Sequence, residues 1–257
     1  MVPPLIVLPI YLYSMFPGVP GGDAGELLAE ACHAGTPHPP GYPSFTMAMR
    51  FAMSLRKYFG VAPATLANAL CCVWGATTAY IIGLSTCTWT NSFSTENASR
   101  RTINAYCAAL SSILYAFSPL VWEYSVGAEV FAMNNFLVAC IVLFTVRVSV
   151  GHQENVKFNA MLGSLSCGLA LSNQHTSALY IIVLVPYVGF VLLRRGLFTP
   201  SVLVKLASSF LVGLSPYLYL IFASRNVKEG SWGDMTSLAG LTKHVLRQEY
   251  GTLKVSL

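Results

Sequence analysis

The sequence predicts an all-α polytopic membrane protein, and three observations carry that expectation. Only 10% of its 257 residues are charged while 54% are hydrophobic, against about a quarter charged in soluble domains. Mean hydropathy is positive, at +0.59. Uncharged stretches near span length recur along the chain, and a helix is the element that satisfies its own backbone polar groups inside a bilayer. The net charge of +5 is small and spread out, which excludes the basic stripe of a nucleic-acid-binding protein.

A charge at mid-bilayer costs about 2.5–3.5 kcal/mol on insertion scales, so uncharged runs locate the spans. The candidates are 1–16, 64–86, 103–121, 130–149, 158–173, 176–193 and 203–223. Residues 1–16, "MVPPLIVLPIYLYSMF", form a partial first span. No Lys or Arg precedes Arg50 and no small-residue cleavage site follows the run, so it does not read as a signal peptide. Residues 17–63 form a first loop with amphipathic helices, one of them over 44–57 with Arg50 and Arg56 as polar points, expected to lie along the membrane surface. Six further spans fill 64–223. Residues 158–193 carry no formal charge, yet as one helix they would extend roughly 54 Å across a ~30 Å core. "SNQHT", 172–176, is therefore expected to turn between two spans, with Asn173, Gln174 and His175 slightly below the interface. Residues 224–257 form a second large loop that stops at "EYGTLKVSL", and the chain reads as a truncated piece of a longer protein. The seven cysteines lack C-x-x-C or zinc spacing and lie mostly in apolar runs, so they read as small packing residues.

Seven spans alternate sides, and the loops then sort unevenly. One side receives Asp23, Glu26, Glu30, Glu123, Glu129, Glu229, Asp234 and Glu249, eight of the ten acids, together with His33, His38, His175 and His244. The other receives Glu96 and Glu154, and its short loops carry Arg100, Arg101, Lys157, Arg194 and Arg195. The positive-inside rule places that basic face in the cytosol and the acidic face outside it. The sequon at Asn97 is then cytosolic and unmodified.

Four stretches on the acidic face carry candidate chemistry. In "GGDAGELLAEACHAGTPHPPGYP", 21–43, Asp23 and Glu26 have the spacing of a capping box, and Gly35 offers a helix stop. "HPPGYP" is stiff because residues before proline are pushed away from helix, which fixes His38 and Tyr42. In "SPLVWEYSVGAEVFAMNN", 118–135, Glu129 stands at the mouth of a span, where an ionisable group is functional by default. "SNQHT" supplies neutral donors and acceptors, with His175 either contacting a phosphate or satisfying helix ends. In "SWGDMTSLAGLTKHVLRQEYG", 231–251, Asp234 precedes a helix and reads as its cap. No P-loop, serine triad or HExxH motif appears, and a metal site from Asp23, His38, Glu129 and His175 has no support from spacing.

"VPGGDAGELLAEACHAGTPHPPGYPSFT", "WEYSVGAEVFAMNN", "LSNQHTSALY" and "WGDMTSLAGLTKHVLRQEYGT" resemble the N-terminal transmembrane half of the transmembrane protein 260 family. The likeness runs over nearly the whole chain, in order. It implies a C-type glycosyltransferase-like helical bundle in the endoplasmic-reticulum membrane, with the motif-bearing loops lumenal. It also implies mannose transfer from dolichyl-phosphate-mannose to Ser or Thr of secretory-pathway proteins with IPT domains, such as plexins and related receptors. In such folds an acid of the first lumenal loop is the expected base, here Asp23 or Glu26. His38, Tyr42, Glu129, Asn173, Gln174 and His175 become candidates for the donor phosphate or sugar, and Asp234 a candidate contact from the second loop. The lipid-linked donor is a substrate, and no cofactor, metal or nucleic acid is expected. A transporter or channel with an acidic mouth is the main alternative, but transporters gather such groups near the midplane, often with internal repeats. A non-catalytic membrane scaffold is the other.

Overall fold

A computed structural model describes residues 4–93, 98–226 and 228–248, and all regular structure among them is helical. Glu96, Asn97 of the sequon, and Glu249 lie outside the described residues. Helix α1 (Pro4–Ser14) is followed by α2 (Ala24–His33), α3 (Pro43–Ser54) and the short α4 (Arg56–Phe59). The long α5 (Pro63–Ser92), α6 (Ala98–Ala116), α7 (Pro119–Ser125) and α8 (Val130–Val150) come next. After them run α9 (Gln153–Asn173), α10 (Ala178–Arg194), α11 (Pro200–Leu214), α12 (Tyr217–Ser224) and α13 (Leu238–Val245).

Among the described residues four helical segments are long and apolar enough to cross a membrane: Pro63–Ser92, Val130–Val150, His175–Arg194 and Pro200–Ser224. The pair α6 and α7 makes a fifth if its 68° bend is counted within one span. Neither α1, with 11 residues, nor α9 meets that test. Helix α9 packs most extensively against α8 and α11, so its buried Asn159, Ser166 and Ser172 face protein, where polar side chains are tolerated.

The sequence predicts an unbroken span at 103–121, and the structure corrects this. Ser118 is extended, with φ −63° and ψ 128°, because Pro119 disfavours the helical region for the residue before it. Pro119 then occupies the first turn of α7, where its missing N–H costs nothing. The span expected at 203–223 lies within the Pro200–Ser224 segment; Ser215 and Pro216 keep helical dihedrals, although proline gives no donor to the ladder there. Helix α5 instead outruns its expected end at 86. The hydroxyls of Thr86, Thr88 and Thr90 bond back to carbonyls one turn earlier, at 3.0, 2.7 and 2.9 Å, so these polar groups are satisfied within the helix. Its 30 residues reach about 45 Å.

One end of the bundle carries the loops that matter. Asn68 of α5, fully buried, donates to the carbonyls of Phe16 and Gly18 at 2.7 and 2.8 Å and accepts from the Ala128 amide at 2.9 Å. It ties the loop before α2 to the loop before α8. Leu27, Phe45, Met49, Cys71 and Val130 form one apolar cluster that seats α2 and α3 on α5 and α8. The amphipathic stripe of α3 thus packs on the bundle, while Phe51 remains 67% exposed. At the opposite end the Arg195 guanidinium donates to the Gly151 carbonyl at 2.8 Å and to that of Ser149 at 2.5 Å, drawing the α8–α9 and α10–α11 turns together.

Candidate active site

Helix α2 opens at Asp23, whose carbonyl accepts the first intrahelical bond, from Leu27 N at 3.0 Å. The capping box suggested by the sequence does not form. Asp23 is already in the helical region, at φ −82° and ψ −3°, and its side chain makes no capping bond. Glu26 turns instead to His38, accepting from its amide at 2.7 Å and pairing with ring Nδ1 at 3.0 Å. A carboxylate only accepts, which puts the ring proton on Nδ1 and leaves Nε2 to accept from the Tyr42 hydroxyl at 3.1 Å. The two rings meet edge-on, with centroids 5.2 Å apart. Nε2 also lies 3.7 Å from Asp23 Oδ2. His38 is buried, whereas the Asp23 side chain is 66% exposed.

The stop of α2 also differs from expectation. Ala34 takes the left-handed position, at φ 59°, and the Gly35 amide returns to the Glu30 carbonyl at 2.9 Å. Gly35 is needed for space: a Cβ there would fall on the Glu30 carboxylate and the Ser231 hydroxyl. Gly41 of the HPPGYP segment is at φ +89°, and a Cβ there would come 3.0 Å from Leu220 and 3.1 Å from His244.

Glu129 stands at the N-cap of α8 and accepts from the Asp23 amide through Oε1 at 3.0 Å. Burial pushes its carboxyl above the usual carboxylate range, the neighbouring Asp23 charge adds to this, and amide donors offset it in part. Asp23 and Glu129 share the wall of a cleft of about 480 Å³ with Glu123, Tyr124, Phe131 and Phe16. The Tyr124 and Phe131 rings lie 4.4 Å apart. Aromatic faces with carboxylates at their rim suit a sugar, whose C–H faces are apolar and whose hydroxyls donate hydrogen bonds. Glu26, His38 and Tyr42 stand outside that wall, behind Asp23.

Asn173, Gln174 and His175 do not line the cleft. Asn173 reaches its neighbourhood, donating to the Val130 carbonyl at 3.2 Å. Asn173 Oδ1 and Gln174 Oε1 are buried and have no hydrogen-bond partner among the described residues. His175 Nε2 bonds the Tyr217 hydroxyl at 2.9 Å. Asp234 is not the cap of α13; Ser237 is, accepting from Gly240 N at 3.1 Å. Asp234 is exposed and accepts from the Thr236 amide and hydroxyl at 3.0 and 2.6 Å, which holds its carboxyl below the usual range. The second loop touches the first through other residues. Ser231 donates to Glu30 at 2.5 Å and accepts from the Thr36 amide at 3.2 Å, and the Trp232 amide donates to the Thr36 carbonyl at 2.9 Å.

Over residues 23–196 the chain matches the family described as Protein O-mannosyl-transferase TMEM260 N-terminal domain. The chain belongs to the TMEM260 family. It is 35% identical over 253 residues to Protein O-mannosyl-transferase TMEM260 of Mus musculus, covering 97% of this chain and 34% of that protein. It is also 35% identical over 259 residues to Protein O-mannosyl-transferase tmem260 of Dictyostelium discoideum, covering 96% of this chain and 30% of that protein. The chain therefore spans about a third of the length of these relatives. No solved structure matches it. The TMEM260 match begins at Asp23 and takes in every candidate residue through His175, while Asp234 falls beyond it.

Three structurally engaged residues, Asn68, Glu30 and Glu123, were given no individual role in the reading from sequence. Asn68 left a signal, as an amide inside an apolar run. Glu30 left another: it shares the helical face of Leu27 and Ala31, so a helix wheel buries it. Glu123 entered only as one of the acidic-face residues, and nothing local distinguishes it. Among the described residues no group of three or more His, Cys, Asp or Glu is placed to hold a metal ion.

Proposed function

We propose that this chain is the catalytic N-terminal part of a protein O-mannosyltransferase. In this reading it moves mannose from dolichyl-phosphate-mannose to Ser or Thr hydroxyls of secretory-pathway proteins, IPT domains of plexins and related receptors among them. Its acidic face would lie in the endoplasmic-reticulum lumen. The observation that carries the proposal is the exposed Asp23 carboxylate on the wall of an aromatic, acidic cleft, in a family whose relatives are named protein O-mannosyl-transferases.

The proposed chemistry follows from the placement of the acids. The acceptor hydroxyl oxygen attacks the anomeric carbon of mannose while Asp23 takes the hydroxyl proton, an assistance worth about 10²–10⁴-fold. The bond from that carbon to the phosphate oxygen breaks, dolichyl phosphate leaves with the electron pair, and the anomeric centre inverts. Asp23 fits the base role better than Glu26, because both Glu26 oxygens are engaged by His38. His38 is clamped by Glu26 and Tyr42 behind Asp23, its Nε2 3.7 Å from Asp23 Oδ2. Glu129 orients a sugar hydroxyl by accepting its hydrogen bond at the rim of the cleft. Asn173, Gln174 and His175, which do not line that cleft, take no sugar contact in this scheme. Asp234 guides the approach of the acceptor protein. The reaction so written calls for no metal and no cofactor.

The test is mannose transfer from a short-chain dolichyl-phosphate-mannose analogue to a purified IPT domain. It uses membranes carrying this chain extended to the length of its relatives, with Asp23→Asn as control. Transfer lost in the control supports both the activity and the base. Full activity in Asp23→Asn overturns the base assignment, and no transfer from correctly inserted wild-type protein overturns the function.

A further inference from the structure

A second cavity lies at the other end of α2, where no assigned role reaches. It encloses about 330 Å³ and is lined by His33, Arg50, Tyr219, Phe222, Asn226 and Lys228, with Ala34 and Ala223 filling the gaps. Helix α2 has 10 residues and so places this cavity about 15 Å from Asp23. Here the Pro200–Ser224 membrane segment ends. Leu218 and Phe222 of α12 are 55% and 61% exposed, and the Arg225 guanidinium lies over the Phe222 ring, 5.4 Å from its centroid.

The cations are arranged to receive an anion. Arg50 is fixed by donating to the Ala31 and Cys32 carbonyls at 3.3 and 2.8 Å. Those carbonyls form the negative end of α2, which would otherwise repel an anion; Arg50 covers them. Lys228 enters from the second loop, and the His33 ring adds a nitrogen. Two acids stand nearby. Glu30 is buried, with Oε1 3.9 Å from His33 Nε2, and is bonded to Ser231 on its other oxygen; Glu229 neighbours Lys228 in sequence and is exposed.

We propose that this cavity holds the phosphate headgroup of an anionic membrane phospholipid. Arg50 and Lys228 line the cavity and Arg225 stands beside it over the Phe222 ring, at the depth where a span leaves the bilayer. Exposed Leu218 and Phe222 run down from them, where the acyl chains of that lipid would lie. A free phosphate would use the cations and leave the apolar flank idle, so a lipid uses more of what the site offers. The bound lipid would brace α2, α12 and the second loop against one another, fixing α2 from the end opposite Asp23. This inference stands on the geometry of the cavity and is independent of the transferase reading.

Thermal unfolding of the purified chain in neutral detergent tests it. Phosphatidylglycerol, phosphatidylcholine and inorganic phosphate are titrated in separate arms. Phosphatidylglycerol alone should raise the melting temperature, with half-saturation moved about fivefold higher by Lys228→Ala, since a basic residue near an anionic surface is worth about 1 kcal/mol. His33→Gln should also raise it, and Lys57→Ala, a cation outside the cavity, should leave it in place. Equal stabilisation by phosphatidylcholine, a matching response to inorganic phosphate, or half-saturation unchanged in Lys228→Ala would each overturn the proposal.

Discussion

Asp23 and Glu26 sit three residues apart at the start of one helix, and their surroundings give them different work. Glu26 is tied at both oxygens to His38, while Asp23 offers its carboxylate to the cleft. Asp23→Asn should therefore lower transfer about 10²–10⁴-fold with folding intact. Glu26→Gln should cost less and should alter the pH profile, because it loosens the ring of His38; initial rates across pH distinguish the two. Glu129 makes a separate prediction about stability. Its folded-state pKa is raised above 4.5, so between the unfolded and folded values the native state binds the proton more tightly. Stability from this group is greatest at low pH and declines as pH rises through that window. Glu129→Gln removes the titration and keeps an acceptor for the Asp23 amide. The melting temperature of the variant relative to wild type should climb from acidic to neutral pH.

At the scale of elements, two contacts decide how the helices sit. Helices α9 and α11 cross where Gly168 meets Gly213: a Cβ on Gly168 would lie 2.8 Å from the Gly213 Cα and would fall on the Phe210 carbonyl. The obstacles are backbone atoms, which cannot swing away, and small residues are what permit such close crossings in membranes. Gly168→Ala should destabilise by about 1–3 kcal/mol, the usual cost of overpacking, and thermal unfolding in detergent would report it. Helices α2 and α3 depend on Phe45, fully buried, with its ring centroid 6.3 Å from that of Trp74. Phe45→Ala should cost about 3–5 kcal/mol, and because Phe45 shares its cluster with Leu27, transfer should fall along with stability.

For the whole molecule, the loops grouped by charge in the sequence are hydrogen-bonded together at one end of the bundle. Asp23 joins Glu129, Ser44 joins Ser172 at 2.6 Å, and Tyr219 joins the Gly35 carbonyl at 2.8 Å. The proposed orientation predicts which end is lumenal. A glycosylation sequon engineered into the 195–199 turn should stay unmodified, while one placed at 228–233 should be glycosylated in microsomes; the reverse pattern would invert the topology. Transfer should also survive exhaustive chelation, which the activity assay can check directly.

The membrane class, the turn at 172–176 and the motif-bearing loops were legible because they rest on local properties: where charges are missing, how long an apolar run is, which residue precedes a proline. The break at Pro119 was also open to that local rule, whereas the capping box failed because Glu26 turns to His38 and the glycine stop because Ala34 takes the left-handed position. Only the tertiary structure decided which acid is left available. Glu26 is taken by His38, 12 positions on. Asp23 is held by its amide to a carboxylate 106 positions away, and Glu30 is closed off by a hydroxyl 201 positions away. A carboxylate is reactive or structural according to the partners that fold against it, and partners so distant leave no trace in spacing.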